Sequence, residues 1–369
     1  HFKPHMDLSE LDRASAMTAE YNDDWLSCGF VKMFMDGVVD SRTAYMLHDY
    51  PGTTERGEPL FDPDRFKVIC TEIDRRGLQI AVHAIGDGAV QTTIDGYETA
   101  GRANGFRDMR HRIEHIELIH RDDIPRLGAL GITASVQPPH PPGVMDFPIS
   151  TMEHVYHRDR WRDAYLWKTL KQAGAPVAYA SDWPVTDVSV MRGIQAQMMR
   201  VPYAGAADER LSLTGTLHAY TAGGAWAGHW DDITGTLRTG LAADMVLIDW
   251  ESVAYPYLDE MTPTLDAVVQ RAKQQAVTTT ICDGEVIYKD GKFTKVDRTA
   301  ALRPQRAAVE HGSRHLRGER PGREGAARHH RLLHEIARQG DNIARAQQQR
   351  EVCHQLAGGG LIRQRGMEC

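Results

Sequence analysis

Between Phe30 and Gly193 the chain repeats one theme: a short apolar run ending in polar residues, then an amphipathic helix. The first run, Phe30–Phe34, stops at Asp36-Gly37. Asp62-Pro63 then offers a capping carboxylate and a proline whose fixed φ suits a first helical turn. Phe66, Ile69, Cys70 and Ile73 follow at helical spacing, and Gly77 closes that helix. Leu78–Ala84 is the second strand, ending at His83 and Gly86-Asp87, and Val90, Ile94 and Tyr97 mark the next helix face. His111–Glu117, Gly131–Val136 and Pro176–Ala180 are three further strands, with helices after Asp122-Asp123 and over Trp161–Ala173. Strands alternating with helices imply an α/β fold, with a parallel sheet joined by right-handed crossovers. Five such units fit part of a (β/α) barrel, which closes at eight, or an open doubly wound sheet.

The texture changes after Gly235. Residues 212–227 read as a last helix, and Ala243–Asp249, Thr278–Asp283 and Val286–Tyr288 as short strands. Asp283-Gly284 and Asp290-Gly291 have the composition of tight hairpin turns, so this part reads as a small β unit.

Four strand ends carry residues with metal-site chemistry: Lys32, His83, His115 and Asp182, separated by 51, 32 and 67 positions. A βα unit with its loop takes roughly 30 residues or more. The gaps therefore correspond to one unit with a long loop, one unit, and two units, and all four side chains can meet at one rim. Imidazole and carboxylate are zinc ligands, whereas an unmodified ammonium has no lone pair to give. Read singly, each residue has a plainer role: a hydrogen-bonded rim histidine, a salt-bridging lysine, an aspartate capping a turn.

Composition narrows the function. A net charge of −7 speaks against general nucleic-acid binding. No run of about 18 apolar residues is present to span a membrane. The five cysteines form no CxxC pair, so neither a disulfide framework nor a cysteine zinc site is expected. The absence of a secretory signal points by default to the cytoplasm.

Five segments in order carry a family resemblance: Val31 to Gly37, Val82 to Asp87, Arg110 to His115, Ser135 to His140, and Ala180 to Val185. With Gly235-Thr236-Leu237 through Asp244, they make residues 20–295 resemble the amidohydrolase superfamily, and within it amidohydrolase family 3, the N-substituted formamide deformylase-like group. The resemblance implies a (β/α)8 barrel, of which strands four to eight are visible, beside part of a small β-sandwich. The expected organisation is a partial barrel over 1–233, sandwich strands over 234–298, and an Arg-rich tail over 299–369.

By the same resemblance, Lys32, His83, His115 and Asp182 are ligands of one or two divalent ions, zinc by preference, with Lys32 carboxylated. Asp182 is then the general base for hydrolysis of non-peptide carbon–nitrogen bonds in amide-type small molecules. Gln137 and His140 would contact substrate, and Asp36, Asp87 and Arg112 would position the others. The partners expected are a small-molecule substrate and a second copy of the chain in a homo-oligomer. The alternatives are an inactive fragment and a lactone or phosphoester hydrolase of the same superfamily.

Two departures accompany the resemblance. The family's His-x-His pair of the first strand is not found at any strand end, so the chain reads as the C-terminal part of a longer enzyme. Residues 301–369 hold 13 Arg and six His with no Lys, Phe, Trp or Tyr, a composition that suggests a shifted reading frame or an unstructured extension.

Overall fold

The computed structural model describes residues 1–298 and 300. The tail predicted over 299–369 thus lies, apart from residue 300, outside the described residues. The chain divides into one compact unit over His1–Thr236 and a second beginning at Leu237.

Five parallel strands form the centre of the first unit: β1 (Phe30–Phe34), β2 (Gln79–Ala84), β3 (Arg112–His115), β4 (Thr133–Val136) and β5 (Val177–Tyr179). Their order in space is their order in the chain, as in a barrel wall. Every residue of β2, β4 and β5 is buried, as expected of parallel strands covered on both faces.

The helices are α1 (Leu11–Glu20), α2 (Pro63–Arg75), α3 (Asp87–Asn104), α4 (Ile124–Ala129), α5 (Ser150–Val155), α6 (Trp167–Gln172), α7 (Val190–Met199), α8 (Leu213–Tyr220) and α9 (Ala222–Ala227). The Asp62 carboxylate accepts the Arg65 N–H at 2.9 Å, so α2 starts where its cap and proline place it. Phe66, Ile69, Cys70 and Ile73 form its buried face, and α2 packs against α3. On the outer side of β5 lie α8 and α9, with the Tyr179 and Tyr220 rings 5.4 Å apart. On the outer side of β1, the Phe2 N–H donates to the Lys32 carbonyl at 2.9 Å.

The single helix expected over Trp161–Ala173 does not form. Arg158–Asp163 makes a 3-10 turn, Ala164 is extended, Tyr165 turns at φ +55°, and only Trp167–Gln172 is α-helical. The left-handed turn at Tyr165 is incompatible with a continuous helix, and its N–H donates to the Glu117 carbonyl instead of within a helix. Residues 212–227 likewise break at Thr221, between α8 and α9.

The second unit is an antiparallel sheet of β6 (Met245–Ile248), β7 (Val277–Cys282), β8 (Glu285–Lys289) and β9 (Lys292–Phe293), with helices α10 (Trp250–Ala254) and α11 (Thr264–Arg271). Both predicted Asp-Gly turns are present. Asp283 and Gly284 have φ of +49° and +78°, Asp290 and Gly291 of +47° and +83°. Two successive positive φ values match the right-handed twist of the flanking strands, and glycine takes the second at little cost. No helix among the described residues is long and apolar enough to cross a membrane.

Candidate metal centre

Parallel strands bring all their C-terminal ends to one rim. Lys32 lies within β1, His83 near the end of β2, and His115 closes β3. His140 follows β4 and Asp182 follows β5, each a few residues past the strand. Register pairs Phe34 with His83 and Ala84 with His115. The His83 and His115 rings therefore meet edge to face, 4.5 Å between centroids.

Hydrogen bonds decide which nitrogen of each ring keeps its lone pair. The Nε2 of His83 is 2.9 Å from the Gly37 carbonyl, which can only accept, so Nδ1 is left as the acceptor nitrogen. The Nδ1 of His115 is 2.9 Å from Oε1 of Gln137, whose Nε2 points to the Ser135 carbonyl at 3.4 Å. His115 is thereby oriented with Nε2 free to coordinate. Burial, and then repulsion from His83, His140 and Lys32, holds the His115 imidazole well below its ordinary pKa, so the ring stays neutral. Burial lowers His83 as well.

His140 lies nearly parallel to His115, 5.8 Å away. It is buried, and its Nε2 has no hydrogen-bond partner among the described residues. A buried polar atom left without a partner is rare and costs free energy, so it calls for an occupant. That nitrogen is 4.0 Å from Oδ2 of Asp182. One donor atom each from His115, His140 and Asp182 lies within 4.8 Å of the others. Two imidazoles and a carboxylate are the donor types of a divalent transition-metal site, so these residues fit such an ion.

The backbone is strained at this cluster. His115 has φ +80°, Ile116 +49° and Asp182 +57°. Positive φ is unfavourable for non-glycine residues and most of all for a β-branched one, and such strain concentrates at functional sites. The half-buried Asp182 carboxyl is raised by burial, with His140 and Lys32 opposing the rise.

The other predicted residues surround this cluster in distinct ways. Lys32 is not among the three clustered donors. Its Nζ lies 4.8 Å from the Phe34 ring centroid and makes no hydrogen bond or ion pair among the described residues. Burial lowers its pKa, against the pull of Glu114. Asp36 accepts the N–H groups of Tyr45, Ile85 and Gly86 at 2.9–3.1 Å and lies 3.6 Å from His83. Burial pushes its carboxyl up to about 7 despite those bonds. Glycine is required at 86, because a Cβ there would stand 2.1 Å from the Tyr45 carbonyl. Asp87 accepts the Leu47 N–H and the Arg160 guanidinium, both at 2.8 Å. Asp36 and Asp87 thus tie the long loop after β1 to the rim. Arg112 sits at the start of β3, bound to Glu114 at 2.7 Å and Gln79 at 3.1 Å.

Glu117 is absent from the expected set. It is buried, accepts the Tyr165 hydroxyl at 3.0 Å, and places Oε1 3.7 Å from Nδ1 of His140. Its signal in the sequence is a single charge inside the apolar run Ile116–Ile119.

Comparison with known proteins follows the same outline. The model of the amidohydrolase family matches residues 3–288. The protein LONG AFTER FAR-RED 3 of Arabidopsis thaliana is 36% identical over 234 residues, which are 62% of this chain and 40% of that protein. N-substituted formamide deformylase of Arthrobacter pascens is 22% identical over 294 residues, 78% of this chain and 51% of that enzyme. An uncharacterized metal-dependent hydrolase from Pyrococcus furiosus superposes with TM-score 0.54 at 28% identity, covering 64% of this chain and 47% of its own. The chain thus spans about half the length of these relatives.

Proposed function

The chain belongs to the amidohydrolase family, and from that premise we propose that it serves metal-dependent hydrolysis of non-peptide carbon–nitrogen bonds in amide-type small molecules. The observation that carries this reading is the buried, unpartnered Nε2 of His140 facing Asp182 and His115. Those three residues would hold the ion. His83 through Nδ1, and Lys32 as a carboxylated lysine, are the further candidates beside them. When bound, a divalent cation supplies Lewis-acid activation of water and of the substrate carbonyl, and zinc suits these nitrogen and oxygen donors.

The chain's own residues then do the proton work. Asp182 accepts a proton from the attacking water at a carboxylate oxygen and delivers it to the leaving nitrogen. That delivery matters because an amide anion is a very poor leaving group. Burial of Asp182 favours its protonated form and so helps it hold the proton between the two steps. Gln137 has both ends of its amide engaged, so in this reading it orients His115 at the edge of the substrate site. The formamide deformylase among the relatives is consistent with this substrate class.

The test is metal analysis after reconstitution with zinc, together with a panel of amides, formamides, ureas, lactones and phosphoesters. A stoichiometric ion and amide turnover that a chelator abolishes are expected. Failure to retain any metal would sink the reading, and preferential turnover of lactones or phosphoesters would replace the substrate class.

A further inference from the structure

We propose that Glu117 is a positioning residue: its carboxylate, clamped by Tyr165, holds the His140 ring with its proton on Nδ1, so that Nε2 turns its lone pair toward His115 and Asp182. This inference rests on the metal-site reading above and deepens it.

A carboxylate buried at this depth is costly unless something compensates its charge. Its side-chain hydrogen bond and its ion-pair contact come from two residues. The Tyr165 hydroxyl donates to Oε2 at 3.0 Å, and the Nδ1 edge of His140 stands 3.7 Å from Oε1. At 3.7 Å the contact acts through charge rather than as a formed hydrogen bond. A negative charge on that edge favours a proton on Nδ1, and a neutral imidazole with Nδ1–H has its lone pair on Nε2. Nε2 is the atom left without a partner at the cluster.

The clamp is itself built into the fold. The Tyr165 N–H donates to the Glu117 carbonyl at 2.8 Å, and the left-handed turn at Tyr165 directs the chain back onto Glu117. The Tyr203 hydroxyl donates to the carbonyl of Pro142, two residues beyond His140, at 3.0 Å. The rings of Tyr165, Trp167 and Tyr203 lie 5.1–5.9 Å from the buried Arg200 guanidinium. One aromatic box around a cation thus grips both the carboxylate and the loop that carries its histidine.

The experiment uses the whole chain, in wild-type, Glu117→Gln and Tyr165→Phe forms, with cobalt(II) as the probe. Two quantities are read: cobalt affinity with its visible absorption spectrum, and the His140 tautomer by nitrogen NMR of the metal-free protein. Groups that orient metal-bound histidines are commonly worth about 10–100-fold in affinity. Glu117→Gln is expected to weaken cobalt by that factor, alter the spectrum and reduce the Nδ1–H population. Tyr165→Phe keeps the charge and loosens only its clamp, so a smaller loss of the same sign is expected. A purely structural Glu117 would lower stability without moving the tautomer.

Unchanged affinity and tautomer in Glu117→Gln would overturn the proposal. If that variant does not fold, Tyr165→Phe decides, and an unchanged tautomer and affinity there overturn it equally. The tautomer readout needs no metal. A wild type that binds no cobalt, yet loses Nδ1–H in Glu117→Gln, would sink the metal reading and still support the positioning of the ring.

Discussion

His111 and His140 are both buried imidazoles with an aspartate nearby, at opposite ends of one parallel sheet. At the N-terminal end of β3, the Ile80 N–H donates to Nδ1 of His111, and Nε2 meets Asp74 at 3.2 Å. The other Asp74 oxygen accepts Asn104 and Arg107, each at 2.7 Å. Both ring nitrogens of His111 and both oxygens of Asp74 are engaged. At the C-terminal end, Nε2 of His140 has no hydrogen bond among the described residues, Asp182 stands 4.0 Å away, and the backbone at His115 and Asp182 is strained. The same two residue types thus build a structural bolt at one end and, at the other, leave a buried ring nitrogen without a hydrogen-bond partner. The difference lies in which atoms are satisfied, not in which residues are present.

Four experiments would break or sharpen this contrast. The largest effect is expected from Asp182→Asn. On any amide the chain turns over, kcat should fall about 10²–10⁴-fold. Circular dichroism should remain that of the wild type, and retained turnover would remove Asp182 as the base. Asp74→Ala should do the opposite. It leaves His111 and Arg107 without their buried partner, at about 3 kcal/mol, or roughly 6–12 °C of thermal midpoint. A thermal midpoint within a degree of wild type would show the N-terminal pair to be dispensable.

Zinc should separate the two ends again. A hundredfold excess over its dissociation constant stabilises a folded site by about 2.7 kcal/mol, readable as a rise in melting temperature. His140→Ala should lose that rise and Asp74→Ala should keep it. Equal rises in both variants would place the ion elsewhere.

The smallest effect is in the pH dependence of stability. Burial holds His111 below its ordinary 6.5, so the unfolded chain binds a proton that the folded chain refuses. Its contribution is present above pH 6.5 and is lost as pH falls through 6.5 toward the lower folded value. Burial pushes Asp74 up, but its bonds from His111, Asn104 and Arg107 outweigh this and hold it at about 2. That contribution is present above 3.8 and is lost as pH falls from there through 2. Urea titrations across this range should therefore show stability declining in two steps for the wild type. Asp74→Asn should diminish the lower step, which Glu72 and Asp208, also held at about 2, share, and an unchanged lower step would assign it to those carboxyls.

Two of the three clustered donors, His115 and Asp182, were legible because strand ends are legible. His83, His115 and Asp182 each close an apolar run, and a parallel sheet places such ends on one rim whatever the helices between them do. The break in the helix expected over Trp161–Ala173 was not legible, because it is set by the left-handed turn at Tyr165 and its bond to the distant Glu117 carbonyl. Glu117 was passed over for a related reason. A lone charge in an apolar run looks like the edge of a strand until Tyr165, 48 positions away, is seen to bind it. The sequence implies a substrate contact for His140, and its free nitrogen shows only once its neighbours are in place.

The sequence by itself determined the alternation of strands and helices, the two Asp-Gly hairpins and the residue types at each strand end, because these depend on local period and turn chemistry. Only the tertiary structure decided which histidine is bolted and which is open. Hydrogen-bond satisfaction belongs to pairs of atoms that residues distant in the chain bring together: Asp74 with His111, Gln137 with His115, Glu117 with Tyr165.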